Sequence, residues 1–187
     1  MAKLFIRSPR FVENAFVGPN SLLATFSAHA EAWRSAADGI VEQALAEGSR
    51  GRLDYYFPVI CYLYRHYVEL ELKVLIRLAA RVVGRPLPPK LSNTHSLESL
   101  LDMLKRLLAS AGMTTGITRG VGTMLRELHL LDPDGQRFRY LTKQDDTVAI
   151  PDLYVNVRHL RKQMGTVWKN LIGVEGWLDD LASQESE

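Results

Sequence analysis

Tyr62 to Arg77 reads YLYRHYVELELKVLIR. Wound into a helix, this stretch is apolar around nearly its whole circumference, which marks it as the buried centre of a helical domain. Leu63, Tyr67, Leu70, Val74 and Leu78 recur at helical steps and form its seam. Arg65, His66, Glu69 and Lys73 are set into the same stretch, also at helical spacing. On a helix ringed by neighbours, such groups must pair, snorkel or line a cleft. The segment extends outward from near Asp54, with Pro58 close to the first turn, to Gly84.

Upstream, VGPN closes an irregular start over residues 1–19, and Asn20 or Ser21 can cap a first helix. Phe26, Ala30, Trp33, Ala37, Ile40 and Ala44 lie on one stripe of that helix, and Gly48 ends it. Downstream, GRPLPPK cannot continue a helix because proline removes backbone donors. Asn93 or Thr94 then caps a third helix, whose Leu97, Leu100, Leu101, Leu104 and Leu108 form an apolar face before Gly112. Ile117, Val121, Met124, Leu128 and Leu131 predict a fourth helix, with Gly116, Gly120 and Gly122 weakening its first half. In LDPDGQRFRYLTKQDDTVAI the period is lost, and Pro133 with Gly135 forces a turn, so a loop or small hairpin is expected there. From about Pro151 the period returns through Leu153, Val157, Leu160, Met164, Val167 and Leu171, giving a long last helix. The tail 183–187 is expected to be disordered. Together these segments predict an all-α, antiparallel bundle of about five helices in a single domain spanning residues 1–187.

The chain has 187 residues, 47% of them apolar, enough to bury one continuous core. Its 23 basic and 21 acidic residues give a net charge of +2, so nucleic acid would be held by a local patch and not by overall charge. Cys61 is the single cysteine, which excludes a disulfide framework and a thiolate metal cluster. Neither a signal-peptide core nor a run of roughly 20 apolar residues occurs. A soluble, cytoplasmic protein without membrane association is expected. A Gly-rich phosphate loop, a paired metal-ligand motif and a nucleophile elbow are all missing from the sequence, which argues against an NTPase, a zinc hydrolase and a serine hydrolase.

Three places can carry chemistry. Arg65, Glu69 and Lys73 stand at four-residue steps, so Glu69 can bridge both cations, either as a structural ion-pair ladder or as part of a site. His66 stands beside that row; guanidinium and imidazole together suit phosphodiester cleavage, the one stabilising phosphate charge and the other moving a proton. His95, in NTHSLESL, falls at the start of the third helix, where backbone N–H groups favour an anion. Arg137, Arg139 and Tyr140, in GQRFRYLT, can grip phosphate and stack on a base. In the alternative reading, Phe138 and Tyr140 anchor that loop while its arginines face water or the carboxylates of Asp145 and Asp146. Arg77, Arg81 and Arg85 form a basic stripe, and VRHLRK a second basic spot that contains His159.

YRHYVELELKVLIR, then THSLESLL, then FRYL after a turn, resembles the HEPN superfamily. The resemblance covers the chain from about Asp54 onward. It implies a bundle of four to five helices, a homodimer, and action on RNA in a prokaryotic defence or toxin setting, with no metal or other cofactor. By similarity, Arg65, His66 and Glu69 occupy the helix on which such bundles centre, with His95 and Arg139 as neighbours; Arg65, His66 and His95 are the expected catalytic group, and Glu69, Lys73, Arg137, Arg139 and Tyr140 the expected substrate contacts. The family's catalytic signature, an arginine with a histidine four to six intervening residues later, does not occur; the nearest stand-ins are Arg126 to His129 and the adjacent Arg158 and His159. Beside an RNA-binding or RNA-cleaving protein, two other readings therefore stand: a non-enzymatic scaffold for a protein partner, and a nucleotide-binding sensor.

Overall fold

The computed structural model describes residues 9, 10, 15, 25–140, 142, 145–150 and 152–184. Its elements, in chain order, are α1 (Phe26–Ala46), α2 (Arg50–Val82), α3 (Leu97–Ser110), α4 (Arg119–Leu131) and α5 (Val157–Gln184). The bundle is all-α, as the hydrophobic periodicity requires. In the 33-residue α2, Tyr64, Tyr67, Val68, Leu72, Leu75 and Ile76 are all buried. It packs against α1, α3 and α5, so its position at the centre follows from its nearly continuous apolar surface. α1 runs antiparallel to it: Phe26 meets Arg77 and, seven residues later, Trp33 meets His66.

Local chemistry shifts several boundaries. Thr25 caps α1, its Oγ1 accepting the Ala28 N–H at 3.1 Å. The expected caps Asn20 and Ser21 lie outside the described residues, as does most of the irregular N-terminal stretch. α2 begins at Arg50, not near Asp54, so Pro58 stands inside the helix. The missing proline N–H is tolerated there because Leu53, Tyr56 and Phe57 pack on the core around it. α3 is capped by Ser96, whose Oγ accepts the Ser99 N–H at 3.2 Å, not by Asn93 or Thr94. Thr94 instead accepts the Ser96 N–H, so His95 precedes the helix and is not part of its first turn.

Thr118 caps α4 through the Val121 N–H, and the helix forms despite Gly120 and Gly122. The expected hairpin reduces to an isolated bridge between Thr142 and Val148; among the described residues there is no strand. α5 starts six residues after Pro151, where Asn156 Oδ1 accepts the His159 N–H at 2.9 Å. Leu153 and Tyr154 therefore lie outside the helix, with Tyr154 94% exposed. At the C-terminus, Ser183 and Gln184 are helical, which corrects the expectation of a disordered tail for those two; residues 185–187 lie outside the described part. No described helix is long and apolar enough to cross a membrane.

Candidate functional site

Arg65 sits in the middle of α2 and is 1% exposed. Its Nε donates to the Asp132 backbone carbonyl at 3.2 Å and lies 3.4 Å from the Asp132 carboxylate, which is itself fully buried. Nη1 donates to Glu69 Oε2 at 2.7 Å, and Nη2 donates to the His95 backbone carbonyl. Gly135, at φ +77°, closes over the guanidinium so tightly that an added Cβ would lie 3.3 Å from Cζ. One side chain thus ties α2 to the entry of α3 and to the loop after α4. A guanidinium engaged in this way presents no open face to a phosphate: the structure places Arg65, expected among the catalytic residues, inside the packing.

Glu69 is the hub. Its Oε1 accepts from Lys73 Nζ at 2.8 Å and faces His95 Nδ1 at 2.9 Å, while Oε2 serves Arg65. Burial alone would raise the Glu69 carboxyl, but the hydrogen bonds and charges of Lys73 and Arg65 outweigh it and hold the group below its ordinary value. An ionised Glu69 is an acceptor only, so in a neutral His95 it favours the Nδ1–H tautomer, with the Nε2 lone pair on the side of the ring away from Glu69. The His95 side chain is 54% exposed, against 5% for Glu69. A buried carboxylate behind a solvent-facing imidazole is the arrangement that lets histidine act as a general base. Lys73, with 11% of its side chain exposed and bound to Glu69, sets the charge of the hub and is not free to bind substrate.

His66 faces a different neighbour. Its ring meets Trp33 edge-on at 4.6 Å between centroids and lies parallel to Tyr62 at 5.7 Å. Burial pushes its imidazole below the usual range against the pull of Glu69, while Arg65, His29 and Lys73 add repulsion. Tyr62, His66, Glu69, Lys73 and Arg77 fall at helical steps along one side of α2. α1 flanks that side with Phe26, His29 and Trp33, where Phe26 is 66% exposed and lies under the Arg77 guanidinium. Arg139 reaches over from the loop after α4, its guanidinium 5.8 Å from the Tyr62 ring and 5.3 Å from that of Tyr140. Both Arg139 and Tyr140 are exposed.

The structure thus brings Glu69 and His95 together, places His66 and Arg139 at the aromatic strip, and withdraws Arg65 and Lys73 into the packing. Arg137 is engaged at the end of α4: its guanidinium lies 3.3 Å from the Leu131 carbonyl, and its backbone N–H donates to Asp132. Phe138 anchors the loop at 5% exposure, whereas Tyr140 faces outward. A groove of about 920 Å³ opens elsewhere, between the start of α2, Ile150 and residues 152–158, and none of the candidate residues lines it. Cys61 is buried, and its thiol is pushed up to about 12, consistent with an inert core residue.

Sequence reasoning passed over Asp132, Gly135, Tyr62 and Trp33. Asp132 reads as part of a turn, and only its position directly after the last apolar residue of α4 hinted at a buried carboxylate. Trp33 reads as an apolar stripe residue, yet it has both a core contact and the rim of the strip. No protein-family model matches the chain, and no curated protein or solved structure does.

Proposed function

We propose that this chain binds single-stranded RNA along the strip of Trp33, Tyr62, His66, Arg139 and Tyr140, and that His95 is its acid–base group for metal-independent cleavage. The observation that carries this reading is the 2.9 Å contact of His95 Nδ1 with a buried, ionised Glu69, together with the half-buried rings of Trp33 and Tyr62, the exposed Tyr140 ring and the exposed Arg139 guanidinium. Aromatic faces interleaved with cations suit unpaired bases and their phosphates. In the reaction, His95 Nε2 takes the ribose 2′-OH proton as the 2′-oxygen forms a bond to phosphorus. The bond from phosphorus to the 5′-oxygen breaks, and that oxygen leaves with a proton from water. Arg139 takes the place that sequence reasoning gave to Arg65, opposing the charge that builds on the phosphate oxygens. The resemblance of α2, THSLESLL and FRYL to HEPN proteins supports the same substrate, a cytoplasmic homodimer and a prokaryotic defence or toxin setting.

Binding of a fluorescent 12-residue oligouridine, followed by anisotropy with chelator present, tests the strip. Tyr62→Ala and Arg139→Ala should each weaken binding by about 1–3 kcal/mol, the worth of one stacked base, and affinity should fall as salt rises. Absence of binding by the unaltered protein would remove the reading. The burial of Arg65, Glu69 and Lys73 supports a second function, a non-enzymatic scaffold whose strip docks a protein partner. That alternative predicts no oligouridine binding and no cleavage.

A further inference from the structure

One buried acidic group has no part in the strip. Glu71 lies on α2 where α1 and α5 both pack, and it is 4% exposed. Among the described residues no hydrogen bond or ion pair reaches its carboxyl. Tyr67, one turn earlier on the same face, is 1% exposed, and its hydroxyl has no hydrogen-bond partner among the described residues. The register of α1 on α2, fixed by Phe26 against Arg77 and by Trp33 against His66, brings Glu31 opposite this pair. Glu175 of α5 joins them, since Ser27 on α1 donates to its carboxylate. The charged and titratable groups acting here are therefore Glu31 and Arg34 from α1, Glu175 from α5, and Tyr67 and Glu71 from α2. Arg34 is already held by Glu31 and Asp38.

A carboxyl on a side chain only 4% exposed, facing the half-buried Glu31 and Glu175 while the local cation is already paired, is costly to ionise. We propose that this α1–α2–α5 junction is a proton-dependent clamp: protonated Glu71 seats α1 on α2, and loss of its proton releases α1 together with the Trp33 wall of the strip. Burial, reinforced by Glu175 and Glu31, moves the Glu71 carboxyl from 4.5 up to about 8. The folded protein therefore keeps a proton that the unfolded chain gives up. Stability is full below about pH 4.5, falls as pH rises, and levels off above about pH 8. The regulatory meaning rests on the proposed RNA-binding strip, because α1 supplies Trp33 to it.

The clamp is tested by melting the unaltered protein and Glu71→Gln side by side from pH 5.5 to 9. The glutamine keeps the shape and stays neutral. The unaltered protein should lose roughly 3–5 °C per pH unit relative to the variant up to about pH 8, up to tenfold per unit in the folding constant. Parallel melting profiles would overturn the clamp. Should the variant fail to fold, a ¹³C titration of the Glu71 carboxyl in the unaltered protein decides the matter: a midpoint near 8 supports the clamp, and one below 6 overturns it. Oligouridine binding is followed over the same range. PH-dependent melting that Glu71→Gln abolishes, with no binding at any pH, upholds the clamp and rejects only the RNA reading.

Discussion

Replacing Arg65 by methionine keeps most of the side-chain volume and removes the charge. Glu69 keeps a cation, because Lys73 Nζ stays 2.8 Å away. Asp132 does not: its carboxylate is fully buried, and among the described residues Arg65 is the cation paired with it. The Asp132 and His95 carbonyls lose their donor as well. Breaking a buried pair by removing one partner costs about 3–5 kcal/mol, because the remaining charge is left uncompensated. A single domain has about 5–15 kcal/mol in hand, so the variant should fold with much reduced stability. Urea unfolding followed by circular dichroism measures the loss, and Arg65→Met/Asp132→Asn should recover part of it by neutralising the stranded carboxylate. Hydrogen exchange should rise first in residues 132–140, the loop that Arg65 holds. A loss under about 1 kcal/mol, or no recovery in the double variant, would refute the view that this network pins the loop.

Gly135→Ala should destabilise more than Gly112→Ala. Both glycines have positive φ, but an alanine Cβ at 135 would press on the Arg65 guanidinium at 3.3 Å, whereas at 112 it meets open space. Backbone strain alone costs about 1–2 kcal/mol at either position, and paired urea titrations should show the excess at 135. His66 should titrate below the ordinary 6.5 in an NMR experiment, and Trp33→Ala should raise its midpoint by opening the ring to water. Because this shift keeps the folded imidazole neutral, its contribution to stability is present above pH 6.5 and is lost as pH falls below it.

The sequence made the helices legible because each carries an apolar face at a 3.6-residue period, and α2 announced itself by having apolar residues all round. Boundaries were less legible, since Thr25, Ser96 and Thr118 compete with neighbouring polar residues for the role of cap, and only backbone geometry selects among them. The ladder of Arg65, Glu69 and Lys73 was readable from spacing within one helix. Its partners were not: Asp132 and Arg65 are 67 residues apart, and no local pattern reports a contact at that separation. For the same reason spacing named both His66 and His95 as acid–base candidates without choosing between them, although one packs against Trp33 and the other rests on Glu69. A difference of one residue along α2, about 100° of rotation, separates the buried Arg65 from the half-buried His66.

The measurement that bears most directly on function is cleavage of end-labelled single-stranded RNA in excess chelator, by the unaltered protein and by His95→Ala at matched melting temperature. The account predicts fragments ending in a 2′,3′-cyclic phosphate from the unaltered protein, and a rate lower by about 10²-fold or more once the imidazole is gone. Intact RNA with the unaltered protein, or equal cleavage by both, would contradict it.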